Sequence, residues 1–296
     1  MAKRDKDKDI PLRARWLGAI LSQLRDDARL TLVEAGDYLG KNPATVSRFE
    51  SGEYPIQSKD LLTLLDLYRV TDLKQRSNLL QHCEELGQRG WWDGYAAYVD
   101  RKFIDAIWLE QRAKAIRSVD LLNIPGLLQT QHYMEALITD GPDSADKMKV
   151  RRTVELRLSR QQIFDKASSP RLDVVLHESV LCHVVGGHEV MREQLDHLAS
   201  LPKSHRVRLR VLPMDSSALT RAGCFGPFRY FELVEPYPDV AQVETMTGSL
   251  YVETPDADVY EARYDQVWRS CLSETASADL IATVARGLTD DGDRTG

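Results

Sequence analysis

The residues best suited to recognition chemistry form a short outward face between positions 41 and 52: Lys41, Asn42, Ala44, Thr45, Ser47 and Arg48. The planar guanidinium fork of Arg48 matches O6 and N7 on the edge of a guanine. Thr45 and Ser47 carry hydroxyls that bond to phosphates or bases, and Ala44 packs against a thymine methyl. Lys41, with the exposed N–H groups of a helix start near Asn42, suits phosphates. Thr31, at the head of the preceding helix, joins this set.

Other reactive side chains form no comparable pattern. His177, His183, His188, His197 and His205 fall within 29 residues, with Cys182 among them, yet they straddle a strand-to-loop transition. They lack the convergent spacing of a metal site, so no metal is expected. His177 beside Glu178 could mimic an acid–base pair, but no nucleophile lies in a recognisable elbow. Gly186-Gly187 lacks a phosphate-loop context and reads as a turn. Trp91, Trp92, Tyr95 and Tyr98 read as core or interface surface rather than as a platform for single strands. No catalytic residue and no cofactor is expected, and the chain is not expected to be an enzyme.

The elements that would position the outward face are short helices. Leu17, Ile20, Leu21 and Leu24 recur at helical spacing, with Arg25 and Arg29 on the opposite side. Thr31 caps a helix with Glu34 as its capping-box partner, and Gly40 supplies a tight exit after Leu39. Asn42 is a strong N-cap, Pro43 fits the first helical position and Gly52 the stop. Val46 and Phe49 turn inward, leaving the polar residues outward. A further helix from Ser58 is expected to bury Leu61, Leu62, Leu64, Leu65 and Tyr68. Two helices joined at Gly40, the second polar and tightly capped, make a helix-turn-helix whose second helix enters the major groove.

Beyond this point, residues 71–90 read as a connecting helix ending at the hinge glycines Gly87 and Gly90. Residues 91 to about 167 read as helical, with breaks at Ile124-Pro125-Gly126 and at Asp140–Ser144. Strands follow at 172–176, 207–212, 226–233, 240–244 and 250–253, with a helix at 189–201 between the first two. That order implies a βαβ crossover and then antiparallel returns. A C-terminal helix runs from about Asp256 to Gly287 with a break near Ser273. The expected architecture is a mainly α helix-turn-helix domain followed by an α+β domain. Its divisions are an arm at 1–12, the helix-turn-helix at 13–70, the connector at 71–90, the large domain at 91–288 and a tail at 289–296.

Net charge is −6 over 296 residues, but its distribution is uneven. The first 90 residues hold 15 Lys and Arg against 14 Asp and Glu, and the remainder hold 24 against 31. A nearly neutral first part can still present a basic face, while an acidic second part is repelled by a duplex. The four cysteines are scattered without CxxC pairs, as suits a reducing compartment. No apolar run approaches the ~18 residues of a spanning helix, and no signal core follows the N-terminus. A cytoplasmic, nucleoid-associated location is the expectation, with no membrane partner.

The stretch Leu17–Leu24, Thr31–Gly40, Val46, Phe49 and Glu50-Ser51-Gly52 resembles the XRE-type helix-turn-helix regulators. Two positions depart from that pattern. Leu32 stands where the family often has a glutamine, so no polar contact from the bracing helix carries over. Gly36 stands for the usual alanine. Trp108–Ile116, Ile124–Thr130, Tyr133, Ala136, Arg160-Gln161, Leu176–Ser179, Gly186-Gly187, Met191–Leu198, Val211–Pro213, Phe225-Gly226 and Val243-Glu244 resemble the WhiJ-like regulators of actinomycetes. Those proteins are described as antitoxin-like transcriptional regulators. The resemblance implies a small companion protein, encoded nearby, that binds the large domain.

Read from the residues alone, Pro125–Thr130 is a structural break between helices or a groove built at that break. In the second case Gln129, Thr130 and Tyr133 contact a partner or effector. The leading expectation is a sequence-specific, repressor-like transcriptional regulator, a homodimer on double-stranded DNA, modulated by a small protein or ligand at the large domain. The alternatives are an α/β enzyme targeted by its helix-turn-helix, or an interaction antitoxin whose DNA contact is incidental.

Overall fold

The computed structural model describes residues 10–88, 90–139, 146–165, 169–201, 206–218, 226–245 and 248–292. The chain divides into two compact units, Met1–Ala106 and Ile107–Gly296. The division falls inside the helix Arg101–Arg112, later than the hinge expected at Gly87 and Gly90.

The first unit contains α1 (Leu12–Asp27), α2 (Leu32–Leu39), α3 (Pro43–Glu50), α4 (Ser58–Leu67) and α5 (Leu73–Gly87). Its core joins Leu17, Leu21, Ala35, Val46, Phe49, Leu61, Leu64, Leu65 and Tyr68. Leu79 and Cys83 of α5 belong to the same core, so the expected connector is part of the domain. Leu62, expected inside, is 36% exposed because the inward stripe of α4 already runs through 61, 64 and 65. The arm expected at 1–12 is anchored at its end, with Ile10 and Leu12 both buried. The rest of that arm, 1–9, lies outside the described residues.

Two buried titratable groups hold the start of α1. The Asp105 carboxylate accepts from Leu12 N–H at 3.2 Å. His82 Nε2 lies 2.8 Å from the Arg13 carbonyl and donates to it. Burial lowers the His82 pKa from 6.5 to about 4, and the same cause raises Asp105 from 3.8 to about 6. Between pH 6.5 and 4 the unfolded chain therefore holds the His82 proton that the folded unit refuses, and acidification destabilises. Asp105 opposes this, because the folded unit takes up its proton first as the pH falls through 6. Stability of His82→Gln against wild type, followed by urea midpoint, isolates the histidine. Wild type is expected to lose on the order of 2–3 kcal/mol relative to the variant from pH 7 to pH 4. Parallel profiles would remove His82 from this role.

The second unit is built on a mixed sheet of six strands among the described residues, in the order β3-β2-β1-β4-β5-β6. The strands are β1 (Ala113–Asp120), β2 (Arg171–His177), β3 (Val207–Leu212), β4 (Phe228–Leu233), β5 (Val240–Thr245) and β6 (Gly248–Glu253). β1 and β3 run parallel to β2; β4, β5 and β6 return antiparallel. The helical part then an α+β sheet matches the expected class. The central strand β1 is the correction, since 113–120 falls in the stretch expected to be helical before the break at Ile124-Pro125-Gly126. Ala-Lys-Ala-Ile-Arg favours a helix locally, and pairing with both β2 and β4 overrides that preference.

The helices of this unit are α6 (Arg101–Arg112, which begins in the first unit), α7 (Gln131–Thr139), α8 (Lys147–Gln161), α9 (Ser179–Cys182), α10 (His188–Ala199), α11 (Asp258–Trp268) and α12 (Glu274–Gly292). The C-terminal helix thus runs past Gly287 to Gly292. One sheet face, with Val119, Val175, Leu212, Phe228, Tyr230 and Ala241, packs against Tyr264 and Val267 of α11. The break expected at Asp140–Ser144 lies outside the described residues. No helix among the described residues is long and apolar enough to cross a membrane.

Candidate nucleic-acid interface

Local chemistry shapes the helix pair α2–α3. Thr31 closes a capping box with Glu34: its hydroxyl donates to Glu34 Oε2 at 2.7 Å and accepts the Glu34 N–H at 3.2 Å. The Thr31 N–H, which donates to Glu34 Oε2 at 2.8 Å, and then the Thr31 hydroxyl hold the Glu34 carboxyl below its ordinary pKa. Gly40 leaves α2 at φ 63, in the left-handed region. Asn42 Oδ1 then accepts Ala44 N–H at 2.8 Å and opens α3, with Pro43 in the first helical position.

Close backbone approach sets the angle between elements. A Cβ at Gly36 would lie 2.8 Å from the Lys41 carbonyl and 3.1 Å from Pro43 N, so the tight turn requires glycine there. The departure from alanine seen in the sequence is thereby explained. At Gly18 a Cβ would lie 2.4 Å from the Glu50 carbonyl, because the end of α3 rests directly on the backbone of α1. Arg25, expected to face outward, is turned inward instead. Its Nε donates to Glu50 Oε1 at 2.7 Å and its Nη2 to Oε2 at 3.0 Å. The Glu50 carboxylate raises the Arg25 pKa further, and a third bond reaches the Leu30 carbonyl at 2.8 Å. This fork ties α1 to the C-terminus of α3 and to the loop that precedes α2.

With Val46 and Phe49 buried, Asn42, Ala44, Ser47 and Arg48 are exposed and Thr45 half-buried on the other side of α3. The structure therefore brings these residues together on one face. Lys41 Nζ lies 3.3 Å from Asp60 Oδ2, so its charge is shared with a carboxylate. The hydroxyl proton of Thr31 is spent on Glu34, and the cap accounts for that residue. Tyr54 was not singled out in the sequence. The chain turns back after Gly52, with Tyr54 N–H bonded to the Arg48 carbonyl at 3.1 Å. Arg48 lies over the Tyr54 ring at 4.9 Å and its Nη1 donates to the phenol oxygen at 3.2 Å. Stacking and a hydrogen bond pre-orient the guanidinium. A tyrosine just past a helix-ending glycine, six residues after an arginine, is the signal that could have found it.

In the second unit, the residues expected to meet a partner serve a buried polar knot. Gln129 and Tyr133 are 4% and 1% exposed. Gln129 Nε2 donates to the Ile124 carbonyl at 2.7 Å, and the Thr130 N–H donates to Gln194 Oε1 at 2.6 Å. Gln161 Nε2 donates to the carbonyls of Gly126 and Gln129 at 3.1 and 2.7 Å. Beside it Arg160 forms a two-pronged ion pair with Glu110, its Nε 2.6 Å from Oε2 and its Nη2 on Oε1. Gln129 and Tyr133 thus hold the Pro125–Thr130 turn, a buried backbone stretch that must find internal partners. They present no exposed surface.

Among the described residues no three His, Cys, Asp or Glu converge to hold a metal ion. His177 Nδ1 instead pairs with Ser179 Oγ at 2.7 Å, and His205 lies outside the described residues.

Two short capped helices with a small, polar outward side define the helix-turn-helix class of DNA-binding domains. A family model described as a helix-turn-helix domain matches residues 16–79. A second, described as a domain of unknown function (DUF5753), matches residues 103–283, and the chain belongs to that family. Comparison with curated proteins and with solved structures finds no match.

Proposed function

We propose that the chain is a sequence-specific, repressor-like transcriptional regulator of the XRE and WhiJ-like kind, working in the cytoplasm on chromosomal DNA and not as an enzyme. The observation that carries this reading is the outward side of α3, where Ala44, Ser47 and the Tyr54-stacked Arg48 stand exposed on a rigid, capped helix. One short helix reads few base pairs, so a homodimer on paired half-sites supplies the needed specificity. The second unit receives a small companion protein or ligand that biases the placement of the two reading heads, an antitoxin-like arrangement.

Genome-wide mapping of bound DNA tests the reading, since recovered sites report sequence and half-site spacing together. On such a site Arg48→Ala is expected to lose about 1–3 kcal/mol of affinity and to relax discrimination at one base pair per half-site. Equal binding by the variant would take Arg48 out of the interface. Failure to recover any shared sequence would overturn the regulator reading.

A further inference from the structure

The sheet face opposite α11 is not packed like an interior. Strand pairing aligns Ser118 of β1, Arg229 of β4, Gln242 of β5 and Tyr251 of β6 in one row. Directly paired residues of antiparallel strands project to the same side, so these four polar side chains are neighbours. The adjacent row, Ile116, Phe231 and Val240, is buried to 1% or less. On the other side Asp120 and Glu244 extend the polar zone. Depth grades across it, from Ser118 and Gln242 at 1% and 4% exposed to the Glu244 side chain at 67%. The zone therefore has a buried floor and an open rim.

Its charges are held against their solvation. The Arg229 guanidinium lies 3.8 Å from Glu244 at the rim, and Ser118 donates its hydroxyl proton to Asp120. Arg157, on α8, lies within electrostatic range of Arg229 and Glu244. Burial, with Arg160 and Arg229 nearby, lowers its pKa to about 10, and burial raises that of Asp120 to about 6. On the floor, Gln242 Nε2 donates to Ser249 Oγ at 2.9 Å, while its Oε1 has no partner among the described residues. A buried acceptor left unmet is costly, and such groups occur where a ligand completes them.

We propose that this face binds a small carboxylate carrying an N–H donor, the carboxylate against Arg157 and Arg229 and the donor on Gln242 Oε1. The inference deepens the effector role proposed above and rests on it only for its purpose. A carboxylate meets both guanidiniums with charge-assisted bonds, and an amide-type N–H supplies the one bond the floor lacks.

Calorimetric titration of the full chain with N-acetylglycine, without DNA, tests the site. Saturable binding is expected, weakened at least tenfold in Arg157→Gln and in Gln242→Leu. Gln242→Leu also removes the unmet acceptor, so its free form is expected to melt about 2–4 °C higher, which shows that it folds. No saturable heat from N-acetylglycine, unchanged binding by Gln242→Leu, or a lower melting temperature for that variant overturns the proposal. Equal binding of N-methylacetamide, which lacks the carboxylate, overturns the arginine assignment. Repeating the titration on the protein bound to a recovered DNA site separates the two readings. Binding that leaves DNA affinity unchanged supports the site and overturns the effector role, and a change in DNA affinity supports both.

Discussion

Glu110→Ala is expected to destabilise the second unit by about 3–5 kcal/mol. Glu110 and Arg160 are 1% and 3% exposed, so truncating the acid takes away the carboxylate that meets this guanidinium in the interior. The loss is expected to reach the adjoining Pro125–Thr130 turn. Gly126 lies so close to Arg160 that a Cβ there would sit 3.2 Å from Nη1, and the neighbouring Gln161 holds two carbonyls of the same turn. Hydrogen exchange at the amides of β1 and β2 reads this unit apart from the first. Replacing both partners, as Glu110→Met with Arg160→Met, removes the charge instead of stranding it. The double variant is expected to recover most of the loss, since a buried ion pair contributes little net stability over apolar residues of similar size. A loss below about 1 kcal/mol in the single variant would show that water reaches Arg160.

Gly18→Ala gives the second large effect, and its sign opposes helix propensity. Within an isolated helix the change would stabilise by about 1 kcal/mol. Here the added methyl would meet the carbonyls of Glu50 at 2.4 Å and Phe49 at 2.8 Å. Both are backbone atoms at the end of α3, so no side chain can rotate away and the helix itself must shift. A net destabilisation of about 2–3 kcal/mol is expected, as for overpacking of a close contact. The shift also re-aims Arg48, so affinity for DNA should fall even after correction for the folded fraction. Measuring the urea midpoint and DNA binding on the same sample separates the two effects. Unaltered stability together with unaltered binding would mean that α1 does not set the position of α3.

The parts of the site legible in the sequence are those whose bonds close within a few residues. The capping box of Thr31 and Glu34, the exit at Gly40, the Asn42-Pro43 start and the inward pair Val46 and Phe49 each follow from a local rule, and each is present. Strands β2 to β6 were legible by another local signal, since their β-branched and aromatic runs are bounded by turns. Tertiary structure alone decided the rest. β1 becomes a strand because β2 and β4 flank it, although its own residues favour a helix. Arg25 turns inward to a carboxylate 25 positions away, and Glu110 meets an arginine 50 positions away. The physical reason is range. A cap or a turn is settled by neighbours along the chain, whereas a buried charge takes whichever opposite charge the folded path delivers to it.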